Sequence, residues 1–392
     1  MRMLWGGVTA AALLIAPLGF PLPSAAAAPV AAAPLYHSGR AVPGQYIVRL
    51  DRTANVSGTV ASLGIKTMFT YDTVLRGFSA ALTGVQLDAV RATPGVTAVE
   101  ENSTVAVSDR TRSERQSRAA ATSWGLDRID QRNLPLDGQF NVVGTGANTT
   151  GYILDSGIEF GHSEFGGRAV AGFDAVGDGQ NGQDCNGHGT HVAGTVGGKT
   201  FGIARSAKLV SVRVVDCSGE GSIAGTIAGL DWVARNAVQP AVLNASLGDA
   251  YSPALNLAAD ALAESGVLPV VSAGNDAKDA CTASPASAHE VLAVGASDRT
   301  DHQTGFSNYG SCVSLFAPGQ DIISARLGGG SVSKSGTSMA SPHVAGVALL
   351  YKAAHPQADA ATVAGWLDDA STKDTLSVTD GSPNRLLYTA GL

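Results

Sequence analysis

Gly151-Tyr152-Ile153-Leu154-Asp155-Ser156-Gly157 is an apolar run closed by an acid and a glycine. A strand half-buried in a sheet alternates apolar and polar residues, whereas one covered on both faces is apolar throughout. The same near-continuous pattern returns in Leu209 to Val215, Ala241 to Leu247, Val267 to Ala273 and Val291 to Gly295. Between these runs the period changes to that of a helix. Ile223, Ile227, Leu230 and Ala234 are so spaced, as are Leu255, Ala258 and Leu262, and later Val344, Val347 and Leu350. Strands alternating with helices call for an α/β fold, a parallel sheet with helices on both faces. Sites in such sheets form at the carboxyl ends of strands, where Asp155 stands.

Two further blocks carry chemistry. Asn186-Gly187-His188-Gly189-Thr190-His191-Val192-Ala193-Gly194 and Gly336-Thr337-Ser338-Met339-Ala340-Ser341-Pro342-His343-Val344-Ala345-Gly346 put His188 and Ser338 at the openings of predicted helices. Together the blocks supply an acid, an imidazole and a hydroxyl. A serine hydroxyl becomes a nucleophile when a base takes its proton, and the base needs a carboxylate to hold its tautomer. His188 and His191 have the spacing of a metal pair, but no acidic third ligand accompanies them. Ser331-Val332-Ser333-Lys334 fits the S-x-x-K of β-lactamases without its partner motifs, and no G-x-S-x-G elbow is present.

All three blocks, with their glycines and their chain order Asp155, His188, Ser338, resemble the subtilisin family of serine proteases. The likeness is greatest to the proteinase K and aqualysin-like branch. It is carried by Trp124-Gly125-Leu126-Asp127-Arg128-Ile129-Asp130-Gln131-Arg132, Phe306-Ser307-Asn308-Tyr309-Gly310-Ser311-Cys312 and Ser382-Pro383-Asn384-Arg385-Leu386-Leu387-Tyr388, and covers nearly all of residues 43 to 388. It implies a serine endopeptidase working through an acyl-enzyme without a catalytic cofactor. Ser338 would attack, His188 would move the proton, and Asp155 would orient His188. Val271-Ser272-Ala273-Gly274-Asn275 resembles the oxyanion block, with Asn275 as a side-chain donor. Polypeptide substrates would lie as an added strand along Gly219, Gly221, Ser246, Leu247 and Gly248, with Ser272, Ala273 and Gly274 walling the pocket beside the scissile bond. Glu220 and Asp249 depart from the family, which usually carries Ser or Gly there; facing substrate, they would favour Lys or Arg. A catalytically silent binding or inhibitory protein on the same scaffold is the alternative, against which the intact Asp155, His188, Ser338 and Asn275 speak.

The rest of the chain fits a zymogen. Arg2 followed by the short apolar stretch Ala10 to Leu18 and the small residues Ser24 to Ala28 has the layout of a signal peptide, residues 1–28, which predicts secretion to the extracellular space. Residues 43–107 read as a small βαββαβ module, with strands at Gln45 to Leu50, Met68 to Tyr71, Gly77 to Leu82 and Val96 to Glu100. Helices are expected at Val56 to Leu63 and, behind a Thr83/Gln86 capping box, through Leu87 and Val90. Arg76-Gly77-Phe78-Ser79-Ala80 and Pro94-Gly95-Val96-Thr97-Ala98-Val99-Glu100-Glu101-Asn102 resemble the inhibitory propeptide of subtilisins, so the chain's own propeptide is an expected intramolecular inhibitor. Residues 108–123 carry four arginines without apolar periodicity and read as a processing linker, cut between Arg115 and Ala121. Residues 124–392 form the expected catalytic domain.

The chain has 392 residues, enough for two folded units, and a net charge of -7. With a pI near 5.6, this excludes nucleic acid and anionic membranes as main partners, and a monomer is expected. The resemblance pairs the four cysteines as Cys185–Cys217 and Cys281–Cys312, where sequence alone allows three pairings. It also implies structural calcium. Asp127, Asp130, Gln131, Asp137 and Gln139 offer three carboxylates and two amides at positions that aqualysin-like relatives use, although some of those carry Asn in place of Gln139. A second family site near Pro285 to Val291 has Ser314 where an aspartate is usual, so that site is expected to be weakened or abolished. Asp174, Asp178 and Asp184 are a further acidic group of unspecific spacing.

Overall fold

The computed structural model describes residues 6–7, 31–107, 123–379 and 381–392, with the side chain of Asp249 outside the description. The signal segment (save Gly6 and Gly7), the linker 108–122 and the expected cut between Arg115 and Ala121 lie outside the described residues. The chain divides into Met1–Ala31 and Ala32–Leu392, and the second unit carries every element that follows. No helix among the described residues is long and apolar enough to cross a membrane.

The centre is a nine-stranded sheet. From one edge its strands are Thr372–Lys373, Arg385–Leu386, Leu315–Pro318, Leu292–Ser297, Leu268–Ser272, Ala241–Ala245, Thr150–Asp155, Lys208–Arg213 and Ala169–Asp174. All neighbours are parallel except the first pair. Strand alternation sorts the apolar runs between two cores. Ile153, Val242, Val270 and Leu292 face a core shared with helices His188–Gly197 and Thr337–Ala354. Leu154, Leu243, Val271 and Ala293 face another, shared with helices Ile223–Asn236 and Pro253–Glu264. The expected doubly covered sheet is therefore present, and its centre is apolar because both faces are roofed. Edge strand Ala169–Asp174 is only partly buried, and small residues (Ala169, Ala171, Gly172) fill half of it, so it lacks the continuous large apolar run of the central strands.

The N-terminal module has strands Ala41–Leu50, Thr67–Tyr71, Gly77–Ala81 and Val96–Ala106 with helices Val56–Leu63 and Gly84–Arg91. The Thr83/Gln86 capping box is formed. The module starts before Pro43, because Leu35–Tyr36 pairs in parallel with Val99 and Glu100. Val48, Phe78 and Val99 face its own helices. Ile47 and Tyr71 face the other way, into the core around helix Ile223–Asn236. The sheet is thus sandwiched, and its last strand runs on beyond it, pairing antiparallel with Glu220–Ser222.

Candidate active site

Asp155 ends its strand fully buried, and its carboxylate holds His188 Nδ1 at 2.8 and 2.9 Å from its two oxygens. The N–H of Ser156 donates to the same carboxylate at 2.7 Å. His188 is placed by the way its helix begins. Asp184 accepts the N–H groups of Gly187 and Thr190, both at 2.9 Å, so a carboxylate closes the electropositive end of the helix. The Gly189 N–H donates to Ser156 Oγ at 3.0 Å. A Cβ on Gly189 would collide with the Gly157 carbonyl, so the helix meets the strand end only because glycine stands there. With Nδ1 committed to Asp155, the Nε2 of His188 is the remaining ring position. It is buried and has no hydrogen-bond partner among the described residues.

Ser338 opens the helix Thr337–Ala354, which packs on the His188 helix. Its Oγ donates to the Ser246 carbonyl at 3.2 Å, and Ser246 Oγ donates back to the Ser338 carbonyl at 2.9 Å. Asn244 Nδ2 donates to Ser246 Oγ, and Ser341 Oγ to Asn244 Oδ1, so strand and helix are laced together. Asn275 is clamped by Thr337, whose N–H and Oγ1 donate to its Oδ1 at 2.8 and 2.9 Å. Thr337 Oγ1 also accepts the Gly274 N–H at 3.1 Å. Gly274 has φ +106°, where a Cβ would collide with the Asn308 side chain.

A cavity of about 540 Å³ lies beside Asn275 and Ser338; Leu247, Gly248, Ser272, Ala273 and Gly274 also line it, as does Ala106 of the N-terminal module. Thr104, Val105 and Ala106 lie antiparallel to Ser222, Gly221 and Glu220, and Ala106 bridges to Gly248 on the other side. The N–H of Val107 donates to the Gly219 carbonyl at 3.0 Å.

The family model described as "Subtilase family" matches residues 145–391, and that of "Peptidase inhibitor I9" matches residues 50–108. The chain belongs to the subtilase family of serine proteases. The extracellular serine proteinase of Thermus sp. (strain Rt41A) is 42 % identical over 381 residues, 89 % of this chain and 90 % of that protein. Alkaline serine exoprotease A of Vibrio alginolyticus is 45 % identical over 318 residues, 81 % of this chain but 59 % of that longer protein. A crystal structure of a cold adapted subtilisin-like serine proteinase superposes with a TM-score of 0.68 at 48 % identity, over 69 % of this chain and 98 % of that one. The subtilase fold thus follows an I9 inhibitor domain, here the propeptide.

The propeptide is docked through polar groups that sequence reading did not single out. Glu100 accepts the Ser252 hydroxyl and, at 3.0 Å, the Ala254 N–H, at the start of helix Pro253–Glu264. Asn102 Oδ1 accepts the Ala224 N–H at 2.9 Å. One carboxylate oxygen of buried Asp231 takes the N–H groups of Asp72, Thr73 and Val74. Thr337 and Ser341 were also missed, and Asp184, grouped above with Asp174 and Asp178, instead accepts the opening N–H groups of the His188 helix. Their signal is a polar residue flanking a triad block, and only the fold says which such residues turn inward.

Cys185 is joined to Cys217, and Cys281 to Cys312. His191 is a packed residue, its Nε2 on the Ile322 and Val332 carbonyls. Ser331–Lys334 is one strand of a hairpin with Ile322–Ala325. Asp174 and Asp178 pair with the fully buried guanidinium of Arg213 at 3.2 and 2.6 Å, so an arginine supplies the cation there. Ser314 Oγ accepts the Ala293 N–H at 3.1 Å. Glu220 is exposed.

The acidic loop curls round itself. Asp127 accepts the N–H groups of Asp137 and Gly138, Asp130 that of Asn141, and Asp137 that of Gln139, while Gln131 Oε1 accepts from Asp137. Burial first, and then the charge of Asp137, push the Asp127 and Asp130 carboxyls up. The three carboxylates do not close to mutual ligand spacing. Among the described residues the acid, His and Cys atoms within 4.8 Å of one another belong to Asp178, Cys185 and Cys217, whose sulfurs are bonded together.

Proposed function

We propose that the protein is a secreted serine endopeptidase made as a self-processing zymogen, with Asp155, His188 and Ser338 as its triad. One observation carries this reading: the Asp155 carboxylate lies 2.8 Å from His188 Nδ1, and Nε2 is buried without a hydrogen-bond partner among the described residues, as an acceptor would be once the proton is held on Nδ1. Leaving such an acceptor unsatisfied costs about 1–3 kcal/mol, a cost that a proton-accepting role accounts for.

In the reaction, Ser338 Oγ turns from the Ser246 carbonyl to Nε2 and attacks the substrate carbonyl as His188 takes its proton. The oxyanion is met by the Ser338 N–H and the side-chain amide of Asn275, whose orientation Thr337 fixes. His188 then protonates the leaving amine, and water releases the acyl-enzyme. A polypeptide substrate would lie where Thr104 to Val107 lie, as a strand between Gly219–Gly221 and Ser246–Gly248. The apolar atoms of Leu247, Ala273 and Ala286 suit a broad, apolar-leaning preference beside the scissile bond. The chain's acidity supports a soluble monomer without nucleic-acid or membrane partners.

Asp127, Asp130, Gln131, Asp137 and Gln139 would hold a structural calcium ion. What supports it is the crowding of acids whose charges oppose one another; the ion would act on stability and not on chemistry. The activity test is casein hydrolysis by the secreted protein and by Ser338→Ala and His188→Ala. Each variant should lose at least about 10³-fold in kcat, and a variant retaining full activity sinks the reading.

A further inference from the structure

His188 is the first residue of the helix His188–Gly197, so it stands at the end where N–H groups lack partners within the helix. That end carries a partial positive charge, equivalent to about half an elementary charge. The charge opposes what a general base must do, since taking the Ser338 proton makes His188 a cation. Gly187, at the capping position, has no side chain with which to answer it. Three residues from elsewhere take the opening N–H groups instead. Asn186 Oδ1 accepts that of His188 at 3.1 Å, Ser156 Oγ that of Gly189 at 3.0 Å, and Asp184 Oδ2 that of Thr190 at 2.9 Å. Of the three, Asp184 alone is an acid.

Asp184 is buried, and its two oxygens accept five donors. Oδ1 takes the N–H groups of Asn186 and Gly187 and the Ser156 hydroxyl, each at 2.9 Å. Oδ2 takes the Thr190 N–H and, at 2.6 Å, the Thr190 hydroxyl. A group met only by donors is held as the acceptor-only carboxylate, with its full negative charge. The same Ser156 whose hydroxyl serves Asp184 gives its N–H to Asp155, so the two acids are tied through one residue.

We propose that Asp184 is a positioning residue for catalysis, whose charge cancels the positive end of the helix and so stabilises the His188 imidazolium formed in each proton transfer. This rests on the triad reading above. The other charged groups around the helix are engaged elsewhere. Arg213, which donates to the Ser156 carbonyl at 3.2 Å, is balanced by Asp174 and Asp178. Glu159 accepts the Gly328 N–H, and Asp216 those of Ser218 and Glu220. His191 lies on the Ile322 and Val332 carbonyls. On the packed helix Thr337–Ala354, burial pushes His343 down to about 4, which leaves it uncharged at neutral pH. Asp155 and Asp184 are thus the two acids bonded to the residues around the His188 ring.

The experiment is the pH dependence of kcat and kcat/KM for hydrolysis of a peptide p-nitroanilide by the mature enzyme. The acidic limb of kcat/KM reports the titration of His188 in the free enzyme. Asp184→Asn keeps the shape and removes the charge. It should move the limb down by about half a unit to one unit and lower kcat about 3- to 10-fold. Asn186→Asp places a charge on the acceptor of the His188 N–H and should move the limb up by about half a unit. Ser156→Ala and Thr190→Val delete bonds to Asp184 but keep its charge, so they should lower kcat and leave the limb in place. A limb that stays put in both Asp184→Asn and Asn186→Asp, or that Ser156→Ala moves as far as Asp184→Asn does, overturns the proposal. Should Asp184→Asn fail to fold, an unmoved limb in Asn186→Asp is enough to overturn it. If His188→Ala keeps the wild-type activity and limb, it is the triad reading that fails.

Discussion

Ser338 and Ser246 exchange hydrogen bonds, hydroxyl to carbonyl in each direction, at 3.2 and 2.9 Å. This exchange ties the proposed nucleophile to the wall on which substrate would pair, so the reacting oxygen and the strand register are set by one contact. Loss of the Ser246 hydroxyl should disturb both. Ser246→Ala is expected to lower kcat/KM about 3- to 30-fold, the equivalent of one neutral hydrogen bond, with the fold intact. Steady-state kinetics alongside circular dichroism would check it; unchanged kinetics would show the exchange to be incidental.

Thr337 holds Asn275 by two bonds and Gly274 by a third. Thr337→Val keeps the shape and removes the hydroxyl, so kcat should fall about tenfold with KM nearly constant, and Thr337→Ser should recover most of it. Asn275→Ala should cost more, about 10²–10³-fold in kcat. Equal effects of Val and Ser at position 337 would count against the clamp.

Glu100 links the propeptide to pH. Burial on docking pushes its carboxyl above the ordinary carboxylate range, although the Ser252 and Ala254 donors pull the other way. A pKa raised in the docked state means that docking takes up protons. This contribution is therefore fully present below the ordinary value of 4.5 and is lost as pH rises through the raised one. Propeptide affinity for the Ser338→Ala enzyme, titrated upward from pH 4, should show a slope that Glu100→Gln flattens. An identical slope in both would reject the assignment.

The Cys185–Cys217 bridge closes a loop with a sequence separation of 32 beside the His188 helix. Replacing both cysteines by serine should lower unfolding free energy by ~3–4 kcal/mol under the chain-entropy model. Denaturant titration measures it; a loss near zero would mean the loop is already restrained by Asp184 and Arg213.

If the Asp127–Gln139 loop takes calcium, a chelator should shorten the half-life at elevated temperature, and Asp130→Ala should abolish the difference between calcium and chelator. An unchanged wild-type half-life, with no calcium found by metal analysis, would remove the site.

Much of this architecture was legible because a strand roofed on both sides must be apolar, and Thr150–Asp155 and its central neighbours are. The blocks around Asp155 and His188 were legible because each carries glycines the geometry requires, Gly157 at φ +114° and Gly187 at φ +99°, with Gly189 packed against the Gly157 carbonyl. Edge strand Ala169–Asp174 was not, since a partly exposed edge does not need large apolar side chains, and Ala169, Ala171 and Gly172 make up half of it. Nor were Glu100, Asp231 and Thr337, whose partners lie far away in sequence. The aspartates 174 and 178 stayed an unassigned acidic group because nothing local announces that Arg213 is folded against them.

The central claim is that Ser338 is the nucleophile, activated by His188. Treating the processed protein with a fluorophosphonate and mapping the adduct by peptide mass spectrometry tests it most directly. A single adduct on Ser338, greatly slowed in His188→Ala and absent from Ser338→Ala, is the predicted result. An active protein that takes no label, or one labelled at another residue, would contradict it.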